Sequence, residues 1–258
     1  GLTSPNPPVG AVVVKNGEQL GGGWHRAAGS AHAEVEALRD CARRHGPSGA
    51  KGGTMYVTLE PCSTQGRTGP CTSALIESGL KRVVIGSNDP NPAHLGRGCD
   101  VLREAGIEVV EGIEETRCLE LIRGFAKVQR SGLPWVIIKT AFSLDGRITR
   151  PGGESQWLSG EESRKDVQGL RCEVDAILSS GATVRADDPR FTLRGPSIIE
   201  GKKQPWRVIL TSRKKGVPSS AIILNDEHAS RTLIYKGQRI ECVLRELVSD
   251  HGVVTVMV

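Results

Sequence analysis

The stretch from His32 to Cys71 constrains this chain more than any other part of its sequence. His32 and Glu34 stand at the head of a helical pattern, because apolar residues recur between positions 33 and 42 at near-helical spacing. Cys62 follows a β-rich segment, and Cys71 begins a second helical pattern. One imidazole and two thiolates are good zinc ligands, and a catalytic zinc typically keeps its fourth position for water. We therefore predict that His32, Cys62 and Cys71 bind zinc.

Glu34 is the predicted proton carrier of this site. Zinc lowers the pKa of a bound water, and a neighbouring carboxylate can take the water proton and pass protons to a departing amine. His32 and Glu34 can face one site only at the N-terminal edge of the helix, where the dipole favours negative charge. The order H-x-E followed by P-C is also the pattern of zinc-dependent base deaminases.

Each of these residues also has an ordinary interpretation. His32 could be a surface histidine, Glu34 a solvated acid of a first helical turn, and the two cysteines buried residues or a disulfide. The spacing of Cys62 and Cys71 is wider than the two to four residues usual in a zinc pair. The combination and its order favour zinc. Two alternatives stay open: a cytosine or adenosine deaminase acting on nucleic acid or nucleosides, and a structural zinc in a non-catalytic module.

The composition of the chain limits the kinds of substrate, cofactor and partner that it is expected to bind. Its 258 residues allow one large or two ordinary domains, and its net charge of +5 suits a phosphorylated substrate or cofactor. Dispersed basic residues and 3% aromatics argue against an extended nucleic-acid surface. Seven cysteines without a pairing pattern favour a reducing compartment, so we expect a cytoplasmic protein. No apolar run of membrane-spanning length and no secretory signal are present in this sequence.

Strand and helix patterns alternate in the first half, which predicts an α/β fold. An Asn16-Gly17 pair predicts a hairpin turn between the first two strands. The predicted strands are residues 9–15, 19–24, 54–59, 81–85 and 107–110, and the predicted helices are 33–44, 72–78, 100–105 and 114–129.

The second half starts after a predicted linker at residues 130–134. A turn is expected at Asp145-Gly146, and loops are expected at 153–157 and 181–194. The predicted strands are residues 135–141, 174–179, 206–210, 221–224, 232–235 and 253–258, and the predicted helices are 161–171 and 241–249.

Several short motifs extend beyond the zinc residues. They are Pro5-Asn6-Pro7-Pro8-Val9-Gly10, His32-Ala33-Glu34, Thr58-Leu59-Glu60-Pro61-Cys62, Gly66-Arg67-Thr68, Asp89-Pro90-Asn91-Pro92, Ser143-Leu144-Asp145-Gly146-Arg147, Gly153-Glu154-Ser155 and Ala186-Asp187-Asp188-Pro189. With these motifs the chain resembles the bifunctional deaminase–reductases of riboflavin biosynthesis over nearly all of its length, and its wide cysteine spacing is that family's own. The resemblance implies a cytidine-deaminase-like three-layer domain at 1–129 and a partial dihydrofolate-reductase-like α/β domain at 134–258.

The resemblance also implies two activities. The first domain would remove the 2-amino group of 2,5-diamino-6-ribosylamino-4(3H)-pyrimidinone 5′-phosphate by hydrolysis, with zinc and Glu34. The second would use NADPH to reduce the ribosyl side chain of the product.

Site residues carry over from the resemblance position by position. The implied substrate contacts are Asn6, His25 and Arg67 in the deaminase half and Ser155, Arg171, Phe191 and Arg194 in the reductase half. The implied cofactor contacts are Ala141, Trp157, Thr183, Asp187 and Ser212, with Lys139 as a catalytic contributor. Taken singly, each reductase residue has an ordinary interpretation, for example Trp157 as packing and Asp187 as a turn residue.

Three departures from the family pattern carry expectations of their own. Thr64-Gln65 stands where many relatives have two histidines, and Gly69 stands where they have proline, which could alter substrate contacts. Relatives carry a helix before the first strand, so one face of the deaminase sheet is expected to be uncovered. They also continue into a glycine-rich loop that holds cofactor phosphates, so this sequence is expected to bind NADPH weakly and to reduce poorly or not at all. Exposed sheet edges favour a homo-oligomer.

Overall fold

The computed structural model describes residues 2–64, 69–148, 158–195 and 201–258. The chain divides into two compact units, Thr3–Gly132 and a second unit formed mainly by Leu133–Val258. Within the described ranges, no helix has the length and apolar character needed to cross a lipid bilayer. The predicted loop at 153–157 lies outside the described residues.

Five strands form the sheet of the first unit: β1 (Gly10–Lys15), β2 (Glu18–Trp24), β3 (Thr54–Leu59), β4 (Arg82–Ser87) and β5 (Glu108–Val110). Their order is β2-β1-β3-β4-β5. β1 pairs antiparallel with β2 and β3, whereas β3, β4 and β5 run parallel. Asn16 and Gly17 have φ values of 53° and 81°, which confirms the predicted hairpin turn. The parallel part brings the carboxyl ends of β3 and β4 to one edge of the sheet.

Five helices surround this sheet: α1 (Ala33–His45), α2 (Cys71–Glu77), α3 (Arg97–Glu104), α4 (Glu115–Leu121) and α5 (Arg123–Ser131). Buried Ala37, Leu75 and Leu102 of α1, α2 and α3 share one core with alternate residues of β4. α4 packs on the opposite face at Gly86, where an added Cβ would lie 2.2 Å from the Cys118 Sγ. The first unit therefore has three layers, as predicted.

Two glycines of β2 let α1 approach the sheet closely. A Cβ at Gly23 would lie 2.4 Å from the Ala37 backbone nitrogen, and one at Gly21 would lie 2.5 Å from the Ala37 carbonyl oxygen. Neither distance leaves room for a side chain. This contact fixes the position of α1, whose N-terminus carries His32 and Glu34.

The single helix predicted at 114–129 is wrong. The structure has two helices, α4 and α5, separated at Ile122, whose φ and ψ are −101° and 13°. The amide of Ile122 still bonds to the Cys118 carbonyl, and the amide of Ala126 bonds to the Ile122 carbonyl. Because these bonds continue the helical repeat, the apolar residues keep their helical spacing across Ile122, and the sequence pattern does not show the break. α5 also extends through Ser131, so the predicted linker begins inside a helix.

A second, wholly parallel sheet organises the other unit, with strands β6 (Trp135–Ile137), β7 (Ala176–Ser180), β8 (Trp206–Thr211), β9 (Thr232–Lys236) and β10 (Thr255–Met257). Their order is β6-β10-β7-β8-β9. The helices are α6 (Glu161–Glu173), α7 (Gly181–Asp187), α8 (Ile222–Asn225) and α9 (Ile240–His251). α9 packs on one face of the sheet, and α6, α7 and α8 pack on the other. This arrangement confirms an α/β fold here too.

Three predicted elements of this unit are wrong. Residues 181–187 form helix α7 rather than a loop, because the Ser180 Oγ caps it by accepting a hydrogen bond from the Thr183 amide. Residues 222–225 form helix α8 rather than a strand, and its first amide bonds to the Asp188 carboxylate, 34 positions away in the chain. The strand at 135–141 is limited to Trp135–Ile137, the three positions that pair with β10.

Candidate metal centre and substrate cavity

The sequence-predicted zinc residues lie where three elements begin or end. His32 is the N-cap of α1 and has extended backbone angles, whereas Glu34 lies in the first turn of the helix. Because of this change in backbone conformation, the two side chains can face the same site. Cys62 lies three residues beyond β3, and Cys71 is the first residue of α2. The structure thus brings together residues from separate parts of the chain at the carboxyl edge of the sheet.

Distances among the three side chains suit a tetrahedral metal ion. The His32 Nδ1 lies 3.2 Å from the Cys71 Sγ and 3.5 Å from the Cys62 Sγ, and the ligand atoms all lie within 4.8 Å of one another. Ligands at zinc bond lengths of about 2.0–2.3 Å stand roughly 3.5 Å apart in a tetrahedron. Two sulfurs and one imidazole nitrogen are also a donor set that zinc prefers. His32, Cys62 and Cys71 therefore fit a zinc ion.

The two thiols have opposite pKa shifts in this arrangement. Hydrogen bonds from Cys71 and His32 together lower the pKa of Cys62 to about 4, against the effect of burial. The same bond to Cys62, together with burial, raises the pKa of Cys71. The hydrogen bond with Cys62 also raises the pKa of His32. A divalent cation among these atoms would favour both thiolates at once, which is the electrostatic reason that the set suits a metal.

Glu34 is a carboxyl group buried beside the three ligands, and its residue is only 4% exposed. Burial raises the pKa of this carboxyl, and the neighbouring Cys62 adds to the rise, whereas His32 and a hydrogen bond with Cys71 lower it. A buried carboxyl group with a raised pKa is suited to accept a proton and to release it again. The environment of Glu34 is therefore that of a general acid–base group.

His25 and Asn6 line the same site through a directed pair of hydrogen bonds. The His25 Nδ1 lies 3.1 Å from the Ala31 carbonyl oxygen, and the His25 Nε2 lies 3.1 Å from the Asn6 Nδ2. Because a carbonyl can only accept, the neutral ring carries its proton on Nδ1, and its Nε2 accepts from the Asn6 amide. This leaves the Asn6 Oδ1 as an acceptor for another donor. The His25 ring also meets the His32 ring edge-on, with centroids 5.3 Å apart.

These residues line a cavity of about 200 Å³. Its walls include Asn6, His25, His32, Glu34, Cys62 and Asp89. Asp89 belongs to the Asp89-Pro90-Asn91-Pro92 motif, and no role was predicted for it from the sequence. The sequence does contain a signal that Asp89 lies near Cys62. Asp89 follows β4 and Cys62 follows β3, and these two strands are parallel neighbours. The carboxyl ends of parallel strands meet at one edge of a sheet. Burial raises the pKa of the Asp89 carboxyl, although a hydrogen bond from the Asn91 amide lowers it.

In the second unit the structure brings together three of the residues predicted to bind substrate. The Arg171 Nη1 donates to the Thr192 carbonyl oxygen at 3.2 Å, and burial with the nearby charge of Arg194 lowers the pKa of Arg171. Phe191, in the same short segment, has a φ of 50°. The positive charges of Arg171 and Arg194 act on one another here and would attract an anion.

The residues predicted to bind a cofactor lie at several places in the second unit. Thr183 and Asp187 are four positions apart on α7 and so lie on one face of it. The end of β8 lies beside the start of α7, since a Cβ at Gly181 would come 2.7 Å from the Thr211 Oγ1. Ser212, the next residue, accepts a hydrogen bond from the Lys215 amide.

Ala141 and Lys139, also predicted in this half, lie in the segment after β6, where the Lys139 amide bonds to the Val258 carbonyl. Arg67, Ser155 and Trp157 lie outside the described residues, as does Gln65 of the Thr64-Gln65 departure.

Fold and site together define a zinc-binding domain of the cytidine deaminase class followed by a separate α/β unit. Residues 1–87 match the family model for the cytidine and deoxycytidylate deaminase zinc-binding region, and residues 134–258 match the model for the RibD C-terminal domain. The chain belongs to the RibD family. The predicted family and its two-part α/β fold are confirmed.

Individual relatives agree with this assignment. The chain is 45% identical over 230 residues to riboflavin biosynthesis protein RibD of Escherichia coli K12, an alignment that covers 86% of this chain and 61% of that protein. It superposes on Acinetobacter baumannii RibD with a TM-score of 0.88 at 39% identity, covering 99% of this chain and 74% of the other. A Thermotoga maritima diaminohydroxyphosphoribosylaminopyrimidine deaminase/5-amino-6-(5-phosphoribosylamino)uracil reductase gives a TM-score of 0.88 at 35% identity, covering 99% and 75%. The chain thus spans less than two thirds of the Escherichia coli relative.

Proposed function

We propose that the first unit is a zinc-dependent deaminase of riboflavin biosynthesis, acting on 2,5-diamino-6-ribosylamino-4(3H)-pyrimidinone 5′-phosphate. The observation that carries this proposal is the convergence of His32, Cys62 and Cys71 with the buried carboxyl of Glu34 on one small cavity. The relatives named above support the choice of substrate, since one is a deaminase of this diaminopyrimidine ribotide and another is a riboflavin biosynthesis protein.

His32, Cys62 and Cys71 would hold the zinc. When bound, zinc supplies Lewis-acid chemistry, because it lowers the pKa of water towards neutrality. Glu34 takes a proton from the attacking water and delivers protons to a ring nitrogen and to the departing amine. The carbon–nitrogen bond to the 2-amino group breaks, a carbonyl forms, and ammonia leaves. Burial of Glu34 excludes bulk water, which would otherwise compete for the proton.

Polar groups of the cavity would orient the ring. The free Oδ1 of Asn6 and the carboxyl of Asp89 are acceptors, and the substrate presents amino and ring N–H donors. Acceptors facing such donors discriminate strongly, because an analogue without them leaves buried polar groups unpaired. Arg67 is proposed as the phosphate contact, since a guanidinium matches phosphate geometry.

Two other functions are less well supported. A deaminase acting on nucleic acid would need an open, aromatic binding surface, whereas this cavity is small and the chain has only 3% aromatics. A structural zinc is usually closed by a fourth protein ligand. Among the described residues, the group of possible ligands contains His32, Cys62 and Cys71 alone.

For the second unit we propose a part in the NADPH-dependent reduction of the ribosyl side chain. Residues 1–129 and 134–258 are the two proposed domains. The RibD C-terminal family match and the neighbouring positive charges of Arg171 and Arg194 support this proposal. Thr183, Asp187 and Ser212, with Ala141 and Trp157, are the proposed cofactor contacts, and Ser155, Arg171, Phe191 and Arg194 the proposed substrate contacts. We also propose a cytoplasmic location and a homo-oligomeric state.

Ammonia release from the diaminopyrimidinone ribotide phosphate tests the deaminase proposal. Cytidine and single-stranded DNA serve as alternative substrates, and each assay is run before and after zinc chelation. We expect zinc-dependent release from the ribotide alone. Release from cytidine or DNA would favour the nucleic-acid or nucleoside alternative, and no release from a zinc-loaded chain would favour a structural metal.

A further inference from the structure

Glu60 is a buried carboxylate between β3 and the proposed zinc ligand Cys62, and no role was predicted for it from the sequence. The residue is 6% exposed. Its Oε2 accepts hydrogen bonds from the Asp89 and Gly96 amides, both at 3.0 Å, and its Oε1 accepts one from the Gly98 amide at 2.9 Å. Three backbone donors on one carboxylate leave little of its hydrogen-bonding capacity unused.

Backbone dipoles rather than a side-chain cation compensate the charge of Glu60. Among the described residues, no lysine, arginine or histidine forms a salt bridge with it. Two of its donors, the amides of Gly96 and Gly98, belong to the N-terminus of α3, where unpaired N–H groups favour a negative charge. Removing the carboxylate would leave three amides without their acceptor, that of Gly98 buried and those of Asp89 and Gly96 partly buried.

Gly98 shows how closely the two segments are joined. A Cβ at this position would lie 2.1 Å from the carbonyl oxygen of Pro61, the residue between Glu60 and Cys62. The Glu60 amide in turn bonds to the Ser87 carbonyl at the end of β4. The end of β3 is therefore held from both sides by the segment that runs from β4 to α3.

This junction forms part of the wall of the cavity. Glu60, Cys62 and Asp89 all line the same space, and Glu60 lies two residues from Cys62 and accepts a hydrogen bond from the Asp89 amide. Displacement of residues 89–98 would move Asp89 relative to the zinc ligands. Shifts of about 1 Å in a reacting group are enough to slow an enzyme roughly 100-fold.

We propose that Glu60 is a positioning residue that fixes residues 89–98 against the zinc-bearing end of β3 and thereby places Asp89 in the wall of the substrate cavity. This inference rests on the proposed deaminase function for its kinetic consequence. Its structural consequence, the protection of three named amides, can be measured without any substrate.

Glu60→Gln is the primary variant, because glutamine keeps the size of the side chain but presents an NH₂ group to N–H donors. Glu104→Gln is the matched control, since Glu104 is an exposed acid at the end of α3. Chains that contain all 258 residues of this sequence are compared in zinc content, in hydrogen–deuterium exchange of residues 89–98, and in ammonia release expressed per bound zinc.

We expect Glu60→Gln to keep its zinc, to exchange the amides of residues 89–98 faster, and to lose about tenfold or more in kcat/KM with a raised KM. Glu104→Gln should match the unsubstituted chain in all three. A role confined to folding would instead lower the fraction of chains that bind zinc. KM, and kcat calculated per bound zinc, would then be unchanged.

Glu60→Asp keeps the carboxylate on a shorter side chain, and it is the variant to measure if Glu60→Gln fails to fold. It should show intermediate exchange and intermediate kcat/KM. Unchanged exchange at 89–98, or an unchanged KM, in a folded Glu60 variant would overturn the inference. Failure of the unsubstituted, zinc-loaded chain to release ammonia would instead overturn the proposed function, while the exchange data would still decide whether Glu60 fixes this segment.

Discussion

The Arg207 guanidinium and the Asp226 carboxylate form a two-point ion pair inside the second unit. The Nη1–Oδ2 and Nη2–Oδ1 distances are 2.7 and 2.8 Å, and the side chains are 1% and 15% exposed. Arg207 also donates to the carbonyl oxygens of Arg190 and Ile223. The pair therefore ties β8 to α8 and to the segment that carries Phe191 and Arg194.

Asp226→Ala should destabilise the second unit by about 3–5 kcal/mol, because it leaves a buried guanidinium without its counter-charge. Glu227→Gln is the control, since Glu227 is adjacent in sequence and its side chain is 84% exposed. Hydrogen exchange of the β8 and β9 amides gives the free energy of opening for this unit alone. Equal protection in the two variants would show that the ion pair contributes little.

The same pair predicts a dependence on pH. Arg207 lowers the pKa of Asp226 below its usual value of 3.8, so the folded state binds this proton less readily than the unfolded state does. The stabilisation is therefore complete above about pH 4 and is lost as the pH falls through the lowered pKa.

Protection of the β8 amides, measured between pH 6 and pH 3, should accordingly decline towards the acid end. In Asp226→Asn the protection should start lower and change less with pH. An equally steep acid loss in the asparagine variant would assign the pH dependence to other carboxylates.

Glu34→Gln should retain zinc but release ammonia about 10²–10⁴ times more slowly, because an amide cannot exchange the proton that the reaction moves. Glu36→Gln provides the control on the same helix, since Glu36 pairs with Arg39 at the protein surface. The test is to measure zinc content and the rate of ammonia release on the same samples. Full activity in Glu34→Gln would remove Glu34 from the proton path.

Local patterns predicted much of this molecule, and the errors share a physical cause. The hairpin at Asn16-Gly17 and helix α1 follow from residues near in sequence, which is why they were foreseen. Helix α8 depends on Asp188, 34 residues away, and an apolar tetrapeptide alone fits a strand equally well.

The candidate site divides in the same way. The residue types of His32, Cys62 and Cys71 and their order in the chain predicted a metal site, because imidazole and thiolate groups are zinc ligands wherever the fold brings them together. The contacts of Glu60 could not be predicted from the sequence, because its partners are backbone amides, which every residue except proline has.

Gly23→Ala should destabilise the first unit by about 1–3 kcal/mol, the range typical of overpacking. Its Cβ would meet the Ala37 backbone nitrogen at 2.4 Å, and backbone cannot yield as a flexible side chain can. Because α1 carries His32 and Glu34, the displaced helix should also weaken zinc retention. Chemical unfolding and competition with a zinc chelator measure the two effects.

Gly10→Ala is the matched control for this variant. Gly10 lies in the neighbouring strand β1, its backbone has no positive φ, and no atom lies within 4 Å of the position a Cβ would take. We expect its stability to change by no more than about 0.5 kcal/mol and its zinc retention to be unaffected. If Gly23→Ala matched Gly10→Ala in both measurements, the close approach of α1 to β2 would not be what positions the zinc ligands.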